Sequence, residues 1–345
     1  MKSSDRNGLM DHVSLSDRLS PRTWGIAPAL SDVLLNPKPR GFDTLAGVPS
    51  NVRAIEAGLL FSNALVSFVA VVGPSGWGKT HLLEAIAGRI AEERGPRSYE
   101  MWSANEWVIA SRTRTSNLAL ILDNVQDALA KSRSRQQLRV ALERRVKAGW
   151  PTFLSFTDSK LSRPIRSALP SFRDWSLLLM RPPDSQEREV VVNHMAQAEG
   201  VVLASELKRI LAHRLEGNGR TLTGALKRLR LNGTHWVGSE SVLRACGILN
   251  PFFAANSAWD LRDHVWEVAA APPEDLQNGS ADLAVYAMLK IAQLSEADVA
   301  RYLEIEPARA YAIVQKVESN LREDSHARSR ADAFVERVVA TLQPA

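Results

Sequence analysis

Short apolar runs and helical periodicities alternate along the first half of the chain and give way to helices alone in the second. Leu65–Val72 is apolar and rich in β-branched residues, broken only by Ser67, the pattern of a buried strand. Leu82, Leu83, Ile86 and Ile90 follow at the spacing of one helix face. Leu118–Leu122 is a second apolar run, ending in the carboxylate of Asp123, as a buried parallel strand delivers it. Leu138, Val140, Leu142 and Val146 give an apolar side to a helix over 131–147. Pro151–Phe156, which leads into Thr157 and Asp158, and Ser176–Met180 repeat the strand pattern. Beyond Arg181-Pro-Pro-Asp184 every periodic stretch is helical: 185–244, 259–268, 281–292, 295–303, 307–321 and 330–342. The pattern predicts an α/β parallel-sheet domain followed by helices alone.

The punctuation supplies boundaries. Residues 1–40 mix Ser, Pro, Asp and Arg with isolated apolar residues and read as a flexible tail. A sheet domain over 41–183, a helical segment over 184–250 and an all-helical domain over 251–345 follow. Asn232-Gly, Gly238-Ser, Asn250-Pro and Asn256-Ser are turn signals that read 232–258 as a link.

The first strand runs straight into Gly73-Pro74-Ser75-Gly76-Trp77-Gly78-Lys79-Thr80, which fits G-x-x-x-x-G-K-[ST]. Strand, glycine loop and helix start is the geometry of a phosphate cradle. Backbone N–H groups of the loop and helix N-terminus point at the anion, where the helix dipole favours negative charge. Lys79 would reach the β- and γ-phosphates, and Thr80 would place its hydroxyl on Mg²⁺. Asp123, at the C-terminal edge of its strand, suits the Mg²⁺-side acid. The cofactors predicted are therefore ATP and Mg²⁺.

Length and charge narrow the picture. The 345 residues suffice for two or three domains, and 45% hydrophobic with 23% charged residues is ordinary globular usage. No apolar neighbourhood is long enough to span a bilayer, and the N-terminus lacks the apolar region of a secretory signal. Cys246 is the single cysteine, so no intrachain disulfide forms, and the cytoplasm is the expected compartment. The net charge of +5 permits an anionic partner without requiring one. Lys131, Arg133, Arg135, Arg139, Arg144, Arg145 and Lys147 form a basic helix against one acid, Glu143.

These motifs resemble the bacterial replication initiator family, DnaA. Phe42-Asp43-Thr44 with Val48-Pro49-Ser50-Asn51 looks like the start of the family's AAA+ module, and Gly78–Ala87 is similar to its P-loop and following helix. The resemblance implies a helical lid over 184–250, with Pro182-Pro183-Asp184 and Arg188 at the hinge. Gly219-Arg220 with Leu226 and Leu229 matches the sensor 2 helix, which implies that Arg220 meets the nucleotide phosphates. Thr157 or Asp158 falls at the sensor 1 position, and Arg166, in competition with Arg173, where an arginine finger would reach a neighbouring subunit. Departures are equally informative. Asn124 stands where an acid is expected to polarise the attacking water, an Asp-Asn pair similar to the regulator Hda, which predicts tight nucleotide binding with slow turnover. The connection 95–117 is shorter than the family's single-strand-binding insertion.

The C-terminal helices resemble the family's helix-turn-helix DNA-binding domain, with Asp275-Leu276, Val285-Tyr286 and Lys316-Val-Glu318 in matching order. Their reading surface has changed: Glu304 and Glu306 would face phosphates with the wrong sign, leaving Arg309 as the DNA-contact candidate. From residue 281 onwards eight Lys and Arg stand against ten acids. The fold class expected is thus a P-loop AAA+ sheet domain with helical lid, then an all-α helix-turn-helix domain. The leading function is a DnaA-like replication protein that self-assembles or pairs with a DnaA-type initiator, with double-stranded DNA as a candidate partner. An Hda-like regulator that binds no DNA, and a nucleotide-controlled transcription factor, are the alternatives.

Overall fold

Five parallel strands build the sheet: β1 (Phe68–Gly73), β2 (Tyr99–Ser103), β3 (Ala119–Asp123), β4 (Thr152–Thr157) and β5 (Ser176–Leu179). The computed structural model describes residues 40–110, 116–254, 259–272, 276 and 279–343. The tail reading of residues 1–39, and Asp275, lie outside them. Strand order is β2-β3-β4-β1-β5, which places the phosphate-loop strand between β4 and β5 and crosses over to β3 beyond β4. Such an order creates a crevice at the C-terminal strand ends, where open parallel sheets bind ligands.

Period-2 alternation sorts the side chains to two faces. Val69, Val71, Ile121 and Phe153 pack beneath α1 (Val52–Ser62) and α2 (Lys79–Arg94), against Phe61, Leu82, Leu83, Ile86 and Ile90. Phe61 meets Phe153 edge to face, with centroids 5.3 Å apart. Ala70, Val72, Leu120, Leu122, Leu154 and Phe156 face the other way, towards α3 (Ala104–Ala110), α4 (Val125–Leu129), α5 (Ser132–Ala148) and α6 (Arg163–Ala168). A sheet covered on both faces explains why its strands read as near-continuous apolar runs.

One residue of the basic helix is not on its surface. Arg145 is buried, its guanidinium donating to Thr152 Oγ1 at 2.9 Å and to the carbonyls of Ser116, Leu118 and Pro151 at 2.6–2.9 Å. Burial pushes its pKa down to about 10. It sews the starts of β3 and β4 together, because a guanidinium fork can donate to several carbonyls at once, including that of Pro151, which also accepts from Leu120 N–H at 2.9 Å. Arg135 is exposed but donates to the Leu129 carbonyl, and Arg139 pairs with Glu143 at 3.1 Å.

The helical half begins with α7 (Ser185–Ala198), capped by a reciprocal Asp184–Glu187 box. Then come a parallel pair of two-residue strands, β6 (Val202–Leu203) and β7 (His235–Trp236), with α8 (Ser205–Arg214) and α9 (Gly219–Asn232) between them. Next, where the sequence suggests a link, lies a helix, α10 (Ser239–Ala254). Val242, Cys246, Leu249 and Phe253 form its buried stripe, obscured in the sequence by the Asn250-Pro turn signal, whose Pro251 lies inside the helix. Gly247 is there for contact: a Cβ would lie 1.8 Å from the Ala292 carbonyl oxygen.

The C-terminal helices are α11 (Leu261–Ala270), α12 (Ser280–Tyr286) running into a π-turn (Ala287–Ile291), α13 (Glu296–Tyr302), α14 (Pro307–Glu323) and α15 (Ser325–Leu342). α15 starts at Ser325, earlier than its apolar spacing suggests, because Asp324 caps it by accepting from His326 N–H at 2.8 Å. One apolar core runs without a break from Val192 in α7 to Leu342 in α15. The lid and the C-terminal helices therefore share their interior.

Candidate nucleotide-binding site

The ends of β1, β3 and β4 converge, with Gly73 in register with Thr157 and Asp123 one strand further along. The phosphate loop leaves β1 and feeds directly into α2. Gly76 and Gly78 hold φ of +82° and +89°, left-handed values that side chains disfavour and that turn the loop N–H groups inward. A Cβ on Gly76 would also collide with the Asn218 side chain.

Lys79 is only 6% exposed and donates to the carbonyls of Gly73 and Pro74 at 2.8 and 2.7 Å. Desolvation lowers its pKa to about 8, Asp123 opposes that shift, and Arg220 adds to it. The next residue, Thr80, donates its hydroxyl to Asp123 Oδ2 at 2.7 Å. The other carboxylate oxygen accepts from the Ser155 hydroxyl and from Asn124 N–H. One hydroxyl and one carboxylate side by side fit Mg²⁺, which takes one or two protein ligands and completes its shell with phosphate oxygens and water. No cluster of three His, Cys, Asp or Glu residues suited to a metal occurs among the described residues.

Asn124 adopts a left-handed conformation, φ 52° and ψ 51°, which Asn tolerates better than most residues. Its side-chain oxygen accepts from the Thr157 hydroxyl at 3.2 Å, and Thr157 N–H donates to Gln126 Oε1 at 2.8 Å. Asp158 lies alongside, its N–H bonded to the Gly73 carbonyl at 3.2 Å. A hydrogen bond from Ser162 holds the Asp158 carboxyl below its usual range, together with its own loop.

The segment ahead of the sheet is pinned at two points. Thr44 Oγ1 lies 2.7 Å from His81 Nε2 at the start of α2, and Asn51 accepts from Val48 N–H while donating to the Ala46 carbonyl. The lid closes over the loop from the other side. Asn218 caps α9 by accepting from Arg220 N–H at 2.9 Å, and its amide donates to the Ser75 carbonyl at 3.4 Å. Gly219 N–H donates to the Gly76 carbonyl at 3.1 Å.

The structure thus brings together Gly73–Thr80, Asp123, Asp158 and Arg220. Arg166 is exposed on α6, Arg173 is exposed in the turn after it, and Arg309 is exposed in the first turn of α14, away from the loop in sequence. Ser155, Gln126 and Asn218 have no place in the sequence reading, and Gly219 enters it only as the residue before Arg220. Ser155 had a signal, a hydroxyl set between the apolar Leu154 and Phe156 of its strand; Gln126 had none, because its contact to Thr157 spans 31 residues.

No family model matches the sequence. The chain is similar to the chromosomal replication initiator protein DnaA of Dechloromonas aromatica, 29% identical over 177 residues, 46% of this chain. That stretch is 37% of the length of the curated relative, so the chain matches well under half of it. Among solved structures it resembles domain III of the Thermotoga maritima replication initiation protein DnaA, with a TM-score of 0.52 and 18% identity over 63% of this chain and 98% of that one. AMPPCP-bound DnaA from Aquifex aeolicus gives a TM-score of 0.49 and 18% identity over 89% of this chain and 99% of that one. Its five-stranded parallel sheet and phosphate loop give the chain the AAA+ P-loop α/β fold, and in sequence it is similar to the initiator DnaA.

Proposed function

We propose that the chain binds ATP with Mg²⁺ at Gly73–Thr80 and acts in chromosomal replication initiation, or in its control, through nucleotide-dependent assembly. The observation that carries this reading is the Thr80–Asp123 contact at the mouth of the phosphate loop, in a chain similar to DnaA. Loop N–H groups would bind the phosphates, Lys79 would neutralise the β- and γ-oxygens, and Thr80 and Asp123 would hold the metal. Mg²⁺, when bound, supplies charge neutralisation on the phosphates. Arg220 approaches from the lid as a phosphate sensor, and Arg166 would act across a subunit contact.

Asn124 accepts a hydrogen bond from Thr157 and has no basic site for a proton, so hydrolysis would be slow and the bound state long-lived. That same residue favours a second reading, a regulator that pairs with a DnaA-type initiator and does not itself bind DNA. Lys316 is taken up by Asp282 at 2.8 Å and Lys290 by Glu318 at 2.9 Å, which removes cations from the C-terminal surface. DNA contact, in the first reading, would fall on Arg309, on Lys131 just ahead of α5, and on the exposed cations Arg133, Arg144 and Lys147 of α5. In support of that reading, two helices joined by a tight turn run over 296–323.

Sedimentation with ATP and with ADP tests assembly: a larger species with ATP alone is expected, and identical profiles would refute it. Duplex binding at low salt separates the two readings. It uses the whole chain, because residues 259–343 share their core with the lid. Salt-sensitive binding supports the DNA-binding replication protein, and its absence supports the regulator.

A further inference from the structure

The phosphate loop carries one large side chain, Trp77, and it does not pack into the sheet domain. It is half-buried against the core shared by the lid and the C-terminal helices. The guanidinium of Arg188, on α7, lies over its ring, 5.4 Å from the centroid. The same guanidinium donates to the carbonyls of Ala212, Leu215 and Gly217 at 2.7, 2.6 and 3.1 Å. Those carbonyls belong to the end of α8 and the turn that starts α9. The turn is held tightly: Gly217 sits at φ +112°, and a Cβ there would meet the Thr221 hydroxyl at 2.4 Å. The residues that follow are Asn218 and Gly219, bonded to Ser75 and Gly76, and then Arg220.

A continuous path thus leads from the loop's own indole, through Arg188, to the backbone that carries Arg220. An arginine satisfied by three carbonyls keeps a fixed plane, so the ring beneath it sets the position of the turn. We propose that Trp77 is a positioning residue for the nucleotide site: through Arg188 it fixes the 212–219 turn and so holds Arg220 over the phosphates. Nucleotide retention then depends on Trp77 by way of Arg220. This inference rests on the nucleotide-binding reading proposed above.

The test measures release of a ribose-labelled fluorescent ADP from the full chain. Trp77→Leu is expected to speed release about threefold to tenfold, the range of a partly desolvated cation–π contact. Trp77→Phe, which keeps a ring face, should restore most of the loss. In an Arg220→Ala background Trp77→Leu should add nothing. In the nucleotide-free chain, Trp77→Leu should also raise amide hydrogen exchange over 215–222, a readout independent of any ligand. Should the leucine variant melt early, Trp77→Met serves instead, since it keeps apolar volume without a ring face. Wild-type release by Trp77→Leu, or losses that multiply with Arg220→Ala, would overturn the proposal. Lys79→Ala is run in parallel: if it retains full affinity, the nucleotide reading fails, whatever Trp77 does.

Discussion

Raising the pH from 7 to 9 is expected to weaken ATP binding about tenfold through Lys79. The side chain is buried, and desolvation, reinforced by Arg220 and opposed by Asp123, brings its pKa down to about 8. Phosphate oxygens bind the charged amine, so the free chain must be protonated before, or as, the triphosphate arrives. Roughly nine-tenths of free chains carry that proton at pH 7 and roughly one-tenth at pH 9, a tenfold ratio worth about 1.4 kcal/mol. Stability should move the opposite way. A lysine whose folded pKa lies below its unfolded value takes up a proton on unfolding, so between about 8 and 10.5 this group makes the fold more stable as pH rises. Titration calorimetry in buffers of different ionisation enthalpy reads both halves of the argument. Proton uptake per ATP should be near zero at pH 7 and approach one at pH 9. Arg220→Ala, which removes a lowering influence, should shift the midpoint upwards. Flat affinity from pH 7 to 9 with no proton uptake would refute the reasoning.

Three substitutions probe other parts of the account. Asn124→Asp restores an acid beside Asp123 and should raise single-turnover ATP hydrolysis about tenfold or more; an unchanged rate would mean that the missing base is not what limits turnover. Gly247→Ala forces a methyl into the Ala292 carbonyl and should cost about 3 kcal/mol or more in chemical denaturation, whereas wild-type stability would contradict so close a helix crossing. Arg145→Met removes the guanidinium donor to Thr152 Oγ1 and to the carbonyls of Ser116, Leu118 and Pro151, and should cost about 3 kcal/mol. A neutral result there would return Arg145 to the solvated face that the sequence suggests.

The sheet and phosphate loop were legible because their signals are local. Apolar runs mark the strands, and the glycines, Lys79 and Thr80 lie within eight residues of one another. Asp123 was singled out by the same local signals, a carboxylate ending an apolar run downstream of a phosphate loop, and the structure places it against Thr80. What escaped is non-local. The lid's grip on the loop joins Ser75 to Asn218 across 143 residues, and no pattern near either residue announces it. Arg145 sits in a basic run and looks solvated, until its four acceptors from β3, β4 and their flanks are seen together. Helix α10 was hidden because Asn250-Pro, read as a turn signal, lies inside the helix, where Pro251 is accommodated.

Equilibrium binding of ATP to the intact chain and to Lys79→Ala, with Mg²⁺ present, tests the central claim most directly. Saturable binding by the wild type, lost or weakened at least a hundredfold in the variant while its thermal unfolding stays cooperative, is the expected result. Equal affinity in the two proteins would contradict the account, and with it every role assigned to Thr80, Asp123 and Arg220.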